Sequence, residues 1–203
     1  MSYSPKHIVA QLLSYIFHPG ILPTIGTIYI LFALPQLFNL NQVLVYVGTV
    51  FVGTYAIPLA IIYMCALLGI IENVHLIKKR DRLYPYTVAA ISAFLTSKVL
   101  LSFNAPIEVV SSTYASIFVL TISTLLIPYF KSSAHMAGIA GLSGLYLGMF
   151  EKYEVGSLTG MLVLLGLSCA LAWARIALNR HSLRELLSGA ILGFGSIYVL
   201  IAR

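Results

Sequence analysis

The sequence predicts an all-α fold: a polytopic bundle of six or seven transmembrane helices that forms a single integral membrane domain over residues 1–203. Three observations lead to this prediction. Only 9% of the residues are charged, 60% are apolar, and the mean hydropathy is +0.96, whereas about a quarter of the residues in a soluble domain are charged. Because one span needs about 20 apolar residues, the length allows at most about seven. These values exclude a water-soluble monomer and a disordered chain.

Apolar segments separated by short polar or Pro-containing breaks give the order of the elements. The segment 6–17 predicts an interfacial helix that leads into the first span. Pro58 predicts a kink in the second span, since proline removes a helical hydrogen bond. The fifth span is short and rich in Gly and Ala, a composition that suits close helix packing. The predicted spans cover about 20–38, 43–70, 87–103, 110–130, 136–150, 156–178 and 186–202.

Charged residues are divided unevenly between the two membrane faces that seven spans define. The face of the N-terminus, called here the basic face, also carries the loops 71–86, 131–135 and 179–185. It holds nine basic residues, three acidic residues and all five histidines, so the whole net charge of +6 lies there. The basic residues lie in short loops between apolar segments, which argues against nucleic acid as a partner. Anionic lipid head groups fit this pattern better.

Three short blocks on the basic face carry the residues of interest. The first block contains His75, Lys78, Lys79 and Arg82. On a helix, residues spaced three or four apart lie on the same face. Taken alone, this block is more simply a juxtamembrane basic cluster whose side chains reach lipid head groups.

The second block, Lys131-Ser132-Ser133-Ala134-His135, opens the fifth span. A serine hydroxyl and free backbone N–H groups at a helix N-terminus favour a bound anion. His135 could then give a proton to the bound group. The simpler alternative is a serine N-cap followed by an interfacial histidine.

The third block contains Arg175, His181 and Glu185. On a helix His181 and Glu185 lie one turn apart, so the carboxylate can accept the imidazole N–H and leave the other ring nitrogen as a nucleophile. Arg175 offers a planar, permanently charged fork for phosphate oxygens. The alternative is a set of positive loop residues with a local ion pair.

Together and in this order, the three blocks resemble the type 2 phosphatidic acid phosphatase superfamily, which includes vanadium haloperoxidases and glucose-6-phosphatase. The family pattern is Lys-x6-Arg-Pro, then Pro-Ser-Gly-His, then Ser-Arg-x5-His-x3-Asp. The resemblance covers residues 75–185. It implies the helical core of the acid phosphatases and haloperoxidases, with the first two helices outside it.

The third block matches this pattern best. The resemblance implies that His181 is the nucleophile, that Arg175 binds phosphate and that Glu185 takes the position of the family's Asp. It also implies that Ser133 binds phosphate and that His135 is the general acid. Three positions depart from the pattern: Ala134 replaces Gly but keeps its backbone N–H as a phosphate donor, Ser132 replaces Pro, and Ala174 replaces Ser.

The first block departs most from the family pattern. Arg82 fits the arginine as a phosphate ligand, but Leu83 follows it where the pattern has Pro. His75 stands where the pattern has Lys, so Lys78 or Lys79 must supply the amine. Lys131 is a further candidate phosphate ligand.

The resemblance implies a metal-independent, cofactor-free lipid phosphatase that forms a phosphohistidine on a lipid monophosphate or diphosphate in the bilayer. Candidate substrates are phosphatidic acid, phosphatidylglycerol phosphate, an isoprenyl diphosphate and a lipid A phosphate. Transfer of the phosphoryl group to another acceptor is one alternative, and a non-catalytic relative that binds or moves phospholipid is another.

The resemblance also implies a bacterial cytoplasmic membrane with the site facing outward. Counting of positive charges instead favours the cytoplasmic side. With the proposed catalytic cations set aside, the charge bias falls to two residues, so we expect the outward orientation.

Overall fold

The computed structural model describes residues 4–34, 36, 38–70 and 83–203. Every regular element within these ranges is helical. The predicted phosphate ligands Lys78, Lys79 and Arg82, together with His75, lie outside the described residues. The eight helices are α1 (Pro5–Ile16), α2 (Leu22–Ala33), α3 (Leu40–Leu67), α4 (Leu83–Ser102), α5 (Ile107–Leu126), α6 (Ala134–Tyr153), α7 (Leu158–Ala177) and α8 (Leu183–Ile201).

Five of these helices, α3, α4, α5, α7 and α8, are long and apolar enough to cross a membrane. Most of the residues in these helices are not buried inside the bundle. In α7, for example, only 11% of the most apolar 18-residue stretch is buried. The predicted first span over 20–38 is not reproduced. Its helix α2 has 12 residues and is about 18 Å long, whereas the hydrocarbon core is about 30 Å thick. The other predicted spans correspond to helices, including α6, which has 20 residues but is not among the five.

The predicted irregularity at Pro58 is a π-helical segment, Val52–Ala56, inside α3. In this register the carbonyl of Gly53 needs the N–H of residue 58, which proline lacks. The hydroxyl of Ser92 in α4 donates to that carbonyl at 2.5 Å instead. Gly53 also lies against Thr96 so closely that a Cβ would collide with it. The prolyl defect is therefore compensated by α4.

Helices α6 and α8 pack against each other more extensively than any other pair. Their backbones approach so closely that a Cβ on Gly193 would collide with the backbone of Ala137, and one on Gly189 with the carbonyl of Ser133. This is the close packing that the Gly- and Ala-rich sequence predicts. Residues at the start of α6 are thereby fixed relative to the first turns of α8.

Two clusters of buried apolar residues hold the bundle together. The larger one joins α2, α3, α4, α5, α6 and α8 at the end opposite the basic face. The smaller one includes Leu22, Met136, Leu171 and Leu186, one from each of α2, α6, α7 and α8. It lies directly beneath the second and third sequence blocks and supports them.

Candidate functional site

The C-terminus of α7 fixes Arg175 relative to His181. Asn179 adopts the left-handed conformation with φ 52°. Its N–H bonds the carbonyl of Ile176 at 2.9 Å, and the N–H of Arg180 bonds the carbonyl of Arg175 at 3.0 Å. These two bonds form a Schellman motif, which ends the helix and turns the chain back. The five residues between Arg175 and His181 are therefore the residues that form this turn.

His181 is held by the first turn of α8. Ser182 is the N-cap, and its hydroxyl accepts the N–H of Glu185 while the Glu185 carboxylate accepts the N–H of Ser182 at 3.0 Å. The same carboxylate oxygen accepts from Nδ1 of His181 at 3.1 Å. A carboxylate is an acceptor, so Nδ1 carries a proton; in the neutral imidazole, Nε2 then carries the lone pair. The His181 side chain is 2% exposed.

Ser133 joins the second block to the third. Its hydroxyl caps α6 by accepting the N–H of Met136 at 3.4 Å, and its own N–H donates to the carbonyl of Glu185 at 3.0 Å. Ser133 is fully buried. The serine N-cap is therefore present, and it places Ala134 and His135 in the first turn of α6, where backbone N–H groups lack helical acceptors.

His135 and Arg175 meet at one residue that the sequence prediction did not include, Ser14 of α1. The Nε2–H of His135 donates to the Ser14 carbonyl at 3.1 Å, and Nη1 of Arg175 donates to the Ser14 hydroxyl at 3.2 Å. That hydroxyl donates in turn to the carbonyl of Ala10 at 2.9 Å. Ser14 is buried. The last turn of α1 thus occupies the space between the two predicted catalytic side chains.

His18, in the turn between α1 and α2, is a second neighbour that sequence reasoning did not assign. Its ring centroid lies 6.1 Å from that of His135 and 5.4 Å from that of Tyr55. Its Nδ1 accepts the N–H of Gly20 at 3.2 Å. Burial lowers the pKa of His18 below its ordinary value. In the sequence, the one feature that pointed to His18 was its position on the basic face, together with the other four histidines.

The structure therefore brings together most of the predicted site residues that it describes. Arg175 and His181 each lie within electrostatic range of His135, and Lys131 lies within range of Glu185. Ser132 is buried beside Ser133. Within the described ranges, no three His, Cys, Asp or Glu side chains are grouped so that they could hold a metal ion.

Comparison with known proteins adds no further assignment: no protein-family model, curated protein or solved structure matches this chain.

Proposed function

We propose that the protein is a membrane-embedded phosphatase of lipid phosphates or diphosphates that works through a phosphohistidine intermediate. The observation that carries this proposal is the hydrogen-bonded pair of the buried His181 and the partly buried Glu185. Its hydrogen bond puts the proton on Nδ1 and leaves the Nε2 lone pair that a nucleophile requires. Lys131 lies within electrostatic range of Glu185 and His135 within range of His181, and Arg175 lies close to His135.

In the proposed reaction, Nε2 of His181 attacks phosphorus and the bond from phosphorus to the lipid or pyrophosphate oxygen breaks. His135, which the proposal requires to be protonated on both ring nitrogens when the anionic phosphate is bound, gives its Nε2 proton to that leaving oxygen and becomes neutral. Arg175, with Lys131 and the backbone N–H of Ala134, stabilises the negative charge on the phosphoryl oxygens. Water then gives a proton to neutral His135 and attacks phosphorus, and the bond between phosphorus and Nε2 of His181 breaks. Phosphate leaves, and both histidines return to their starting protonation states.

Ser14 supports the position assigned to the phosphate. Its carbonyl oxygen accepts from His135 and its hydroxyl oxygen accepts from Arg175. In the proposal these two donors face the leaving oxygen and a non-bridging oxygen of the phosphate. Ser14 therefore holds two oxygens where the phosphate needs them, and substrate binding requires the last turn of α1 to withdraw.

A second candidate function is non-catalytic binding of phospholipid. The same contacts of Ser14 favour it, because His135 and Arg175 also stabilise the C-terminal end of α1, where carbonyl groups lack helical donors. In that case both side chains have a structural role, and no phosphoenzyme forms.

Release of inorganic phosphate from a panel of lipid monophosphates and diphosphates, measured on detergent-solubilised protein, tests the proposal. We expect turnover of at least one lipid without added metal, and a phosphorylated protein that is acid-labile and absent from His181→Ala. Phosphate appearing on another acceptor instead of in solution would identify a transferase. The absence of both phosphate release and phosphoprotein would favour the binding function.

We further propose that the protein lies in a bacterial cytoplasmic membrane with the site facing outward. His181 precedes α8, and Arg203 follows it. The 19 residues of α8 are about 28 Å long, so a single crossing separates the site from the C-terminus. A C-terminal reporter that works only in the cytoplasm should then be active. A silent reporter would place the site on the cytoplasmic side.

A further inference from the structure

An apolar groove of about 410 Å³ runs between α7 and α8, with α6 as its floor. Its walls include Leu165 of α7 and Ile191 of α8, and Ala140 lies on the floor. Leu165 and Ile191 are both exposed on the outer surface of the bundle, so the groove opens sideways. Its volume falls within the range of about 300–1,000 Å³ that is typical of ligand pockets.

The groove offers hydrocarbon surface to whatever occupies it. Two polar side chains, Ser143 and Ser168, lie in its lining. Each hydroxyl donates to its own helix, Ser143 to the carbonyl of Ile139 at 3.3 Å and Ser168 to the carbonyl of Leu164 at 2.8 Å. A polar ligand would lose hydration here without gaining partners. A hydrocarbon chain meets no such cost.

One end of the groove reaches the candidate site. Met136 lines the groove and directly follows His135, while Ala190 lines it one turn beyond Glu185 and its helix-capping contacts. From Met136 to Ser143 the floor extends over seven residues of α6, about 10 Å along the helix. The groove thus begins beside the cationic cluster and leads away from it between two of the predicted spans.

We propose that this groove binds the hydrocarbon chain of the anionic lipid whose phosphate meets Arg175 and His181. The inference rests on the proposed function and deepens it, because it assigns the substrate as a phosphorylated lipid with a long, flexible chain. The apolar lining and the cationic end match the two parts of such an amphiphile. Access is lateral, between α7 and α8, with the head group lying next to the first turn of α6.

Photolabelling tests the position of the chain without requiring turnover. The probe is a phosphonate analogue of phosphatidic acid that carries a diazirine midway along one chain, added to wild-type protein in phosphatidylcholine nanodiscs. We expect labelling of Leu165 and Ile191 to exceed that of Leu162, on the exposed face of α7, several-fold. A neutral diacylglycerol with the same diazirine chain should lose this preference. Equal labelling of all three residues, or the same pattern with both probes, would mean annular lipid only and would overturn the proposal.

Filling the groove tests its role in turnover. Ser143→Leu and Ser168→Leu should each raise KM for long-chain phosphatidic acid by about tenfold, which is the scale of a lost fit for a few methylene groups. Activity toward the dihexanoyl form should change little, and this shows that the variants fold. Gly166→Leu is the matched control, because a Cβ at Gly166 meets nothing within 4 Å.

The two proposals fail in different ways. An active wild type with unchanged KM in both filled variants would overturn the groove and leave the phosphatase function standing. A wild type that hydrolyses no lipid phosphate would overturn the phosphatase function, while the labelling pattern still decides whether the groove holds the chain of an anionic lipid.

Discussion

The two ends of the bundle each place a carboxylate in the first turn of a helix, Glu108 in α5 and Glu185 in α8. Glu108 is 4% exposed; its charge is balanced by Nζ of Lys152 at 3.2 Å, and the same carboxylate oxygen accepts the hydroxyl of Tyr153 at 2.5 Å. Glu185 instead accepts hydrogen bonds from Nδ1 of His181 and from the backbone N–H of Ser182. The carboxylate of Glu108 therefore forms an ion pair with a lysine, whereas the carboxylate of Glu185 orients the imidazole of His181.

The surroundings of the two carboxylates differ in charge as well. Lys131 adds a cation within range of Glu185, and Arg175 adds a second cation beside His135, while at Glu108 one lysine balances one acid. At Glu108 the buried carboxylate already has a cation and a hydroxyl as partners, so removing it leaves those partners unpaired and changes the fold more than any chemistry. A carboxylate that orients a histidine amid surplus positive charge is suited to an anionic substrate. The comparison predicts that substitutions at one end change activity and those at the other change stability.

The largest expected effect is that of His181→Ala on turnover. Removal of the nucleophile should lower kcat for lipid phosphate by at least about 10³-fold, since no other group forms the phosphoenzyme. The Tm in detergent should change much less. Phosphate release at the wild-type rate by a folded His181→Ala variant would remove the functional distinction between the two ends.

Glu108→Ala should show the opposite pattern. Loss of this carboxylate removes the partner of the Lys152 ammonium and the acceptor of the Tyr153 hydroxyl, and a hydrogen bond to a charged group contributes about 1.5–3 kcal/mol. We expect a clear fall in Tm, measured by thermal unfolding in detergent, with kcat per folded molecule near that of wild type. A large loss of kcat in protein with normal Tm would show that the opposite end also takes part in turnover.

Glu185 can be dissected because it serves both as a helix cap and as the partner of His181. Glu185→Gln keeps a side chain that suits a capping box but removes the charge that supports the imidazole. We expect kcat to fall about 10- to 100-fold, the scale of losing a supporting hydrogen-bond partner, with little change in Tm.

Ser182→Ala is the matched control for Glu185→Gln. It removes the N-cap hydroxyl and should cost about 1 kcal/mol of stability, with turnover largely kept. If Glu185→Gln instead lowers Tm as much as Ser182→Ala and leaves kcat unchanged, Glu185 is a cap and nothing more.

These local arrangements were the part of the site that the sequence could predict. The spacing of Arg175, His181 and Glu185 corresponds to a Schellman turn followed by a capping box, and both motifs depend on residues within about ten positions. The long helices could also be predicted from local information, because each corresponds to a continuous apolar stretch of the sequence. The role of α1 was not predictable, because Ser14 meets His135 and Arg175 across 121 and 161 positions of sequence. Nor could hydropathy show that α2 ends at Ala33, since the apolar composition continues to residue 38.

A smaller effect concerns pH and separates His18 from the catalytic set. Its pKa is lowered by burial, so below about pH 6.5 the unfolded chain binds a proton more readily than the folded protein does. Stability should therefore decrease as the pH falls from about 6.5 towards the lowered pKa of the folded state, and be unaffected above that window. Tm measured between pH 7.5 and 5 should fall less steeply in His18→Gln than in wild type. Parallel slopes would show that other groups, His135 among them, account for the whole dependence.

The smallest expected effect, and the most informative about α1, is that of Ser14→Ala. In the structure the Ser14 hydroxyl accepts from Arg175, and in the proposed reaction the phosphate must take over that donor. Deleting the hydroxyl removes the competitor, and a hydrogen bond to a charged group contributes about 1.5–3 kcal/mol. Part of this is recovered by water, so we expect KM for the lipid to fall about five- to tenfold, with kcat little changed.

Ser116→Ala is the matched control, because its hydroxyl also donates to the carbonyl four residues earlier but lies in α5. A rise in KM for Ser14→Ala alone would mean that Ser14 positions Arg175 for the phosphate instead of competing with it, and that the last turn of α1 stays in place when substrate binds.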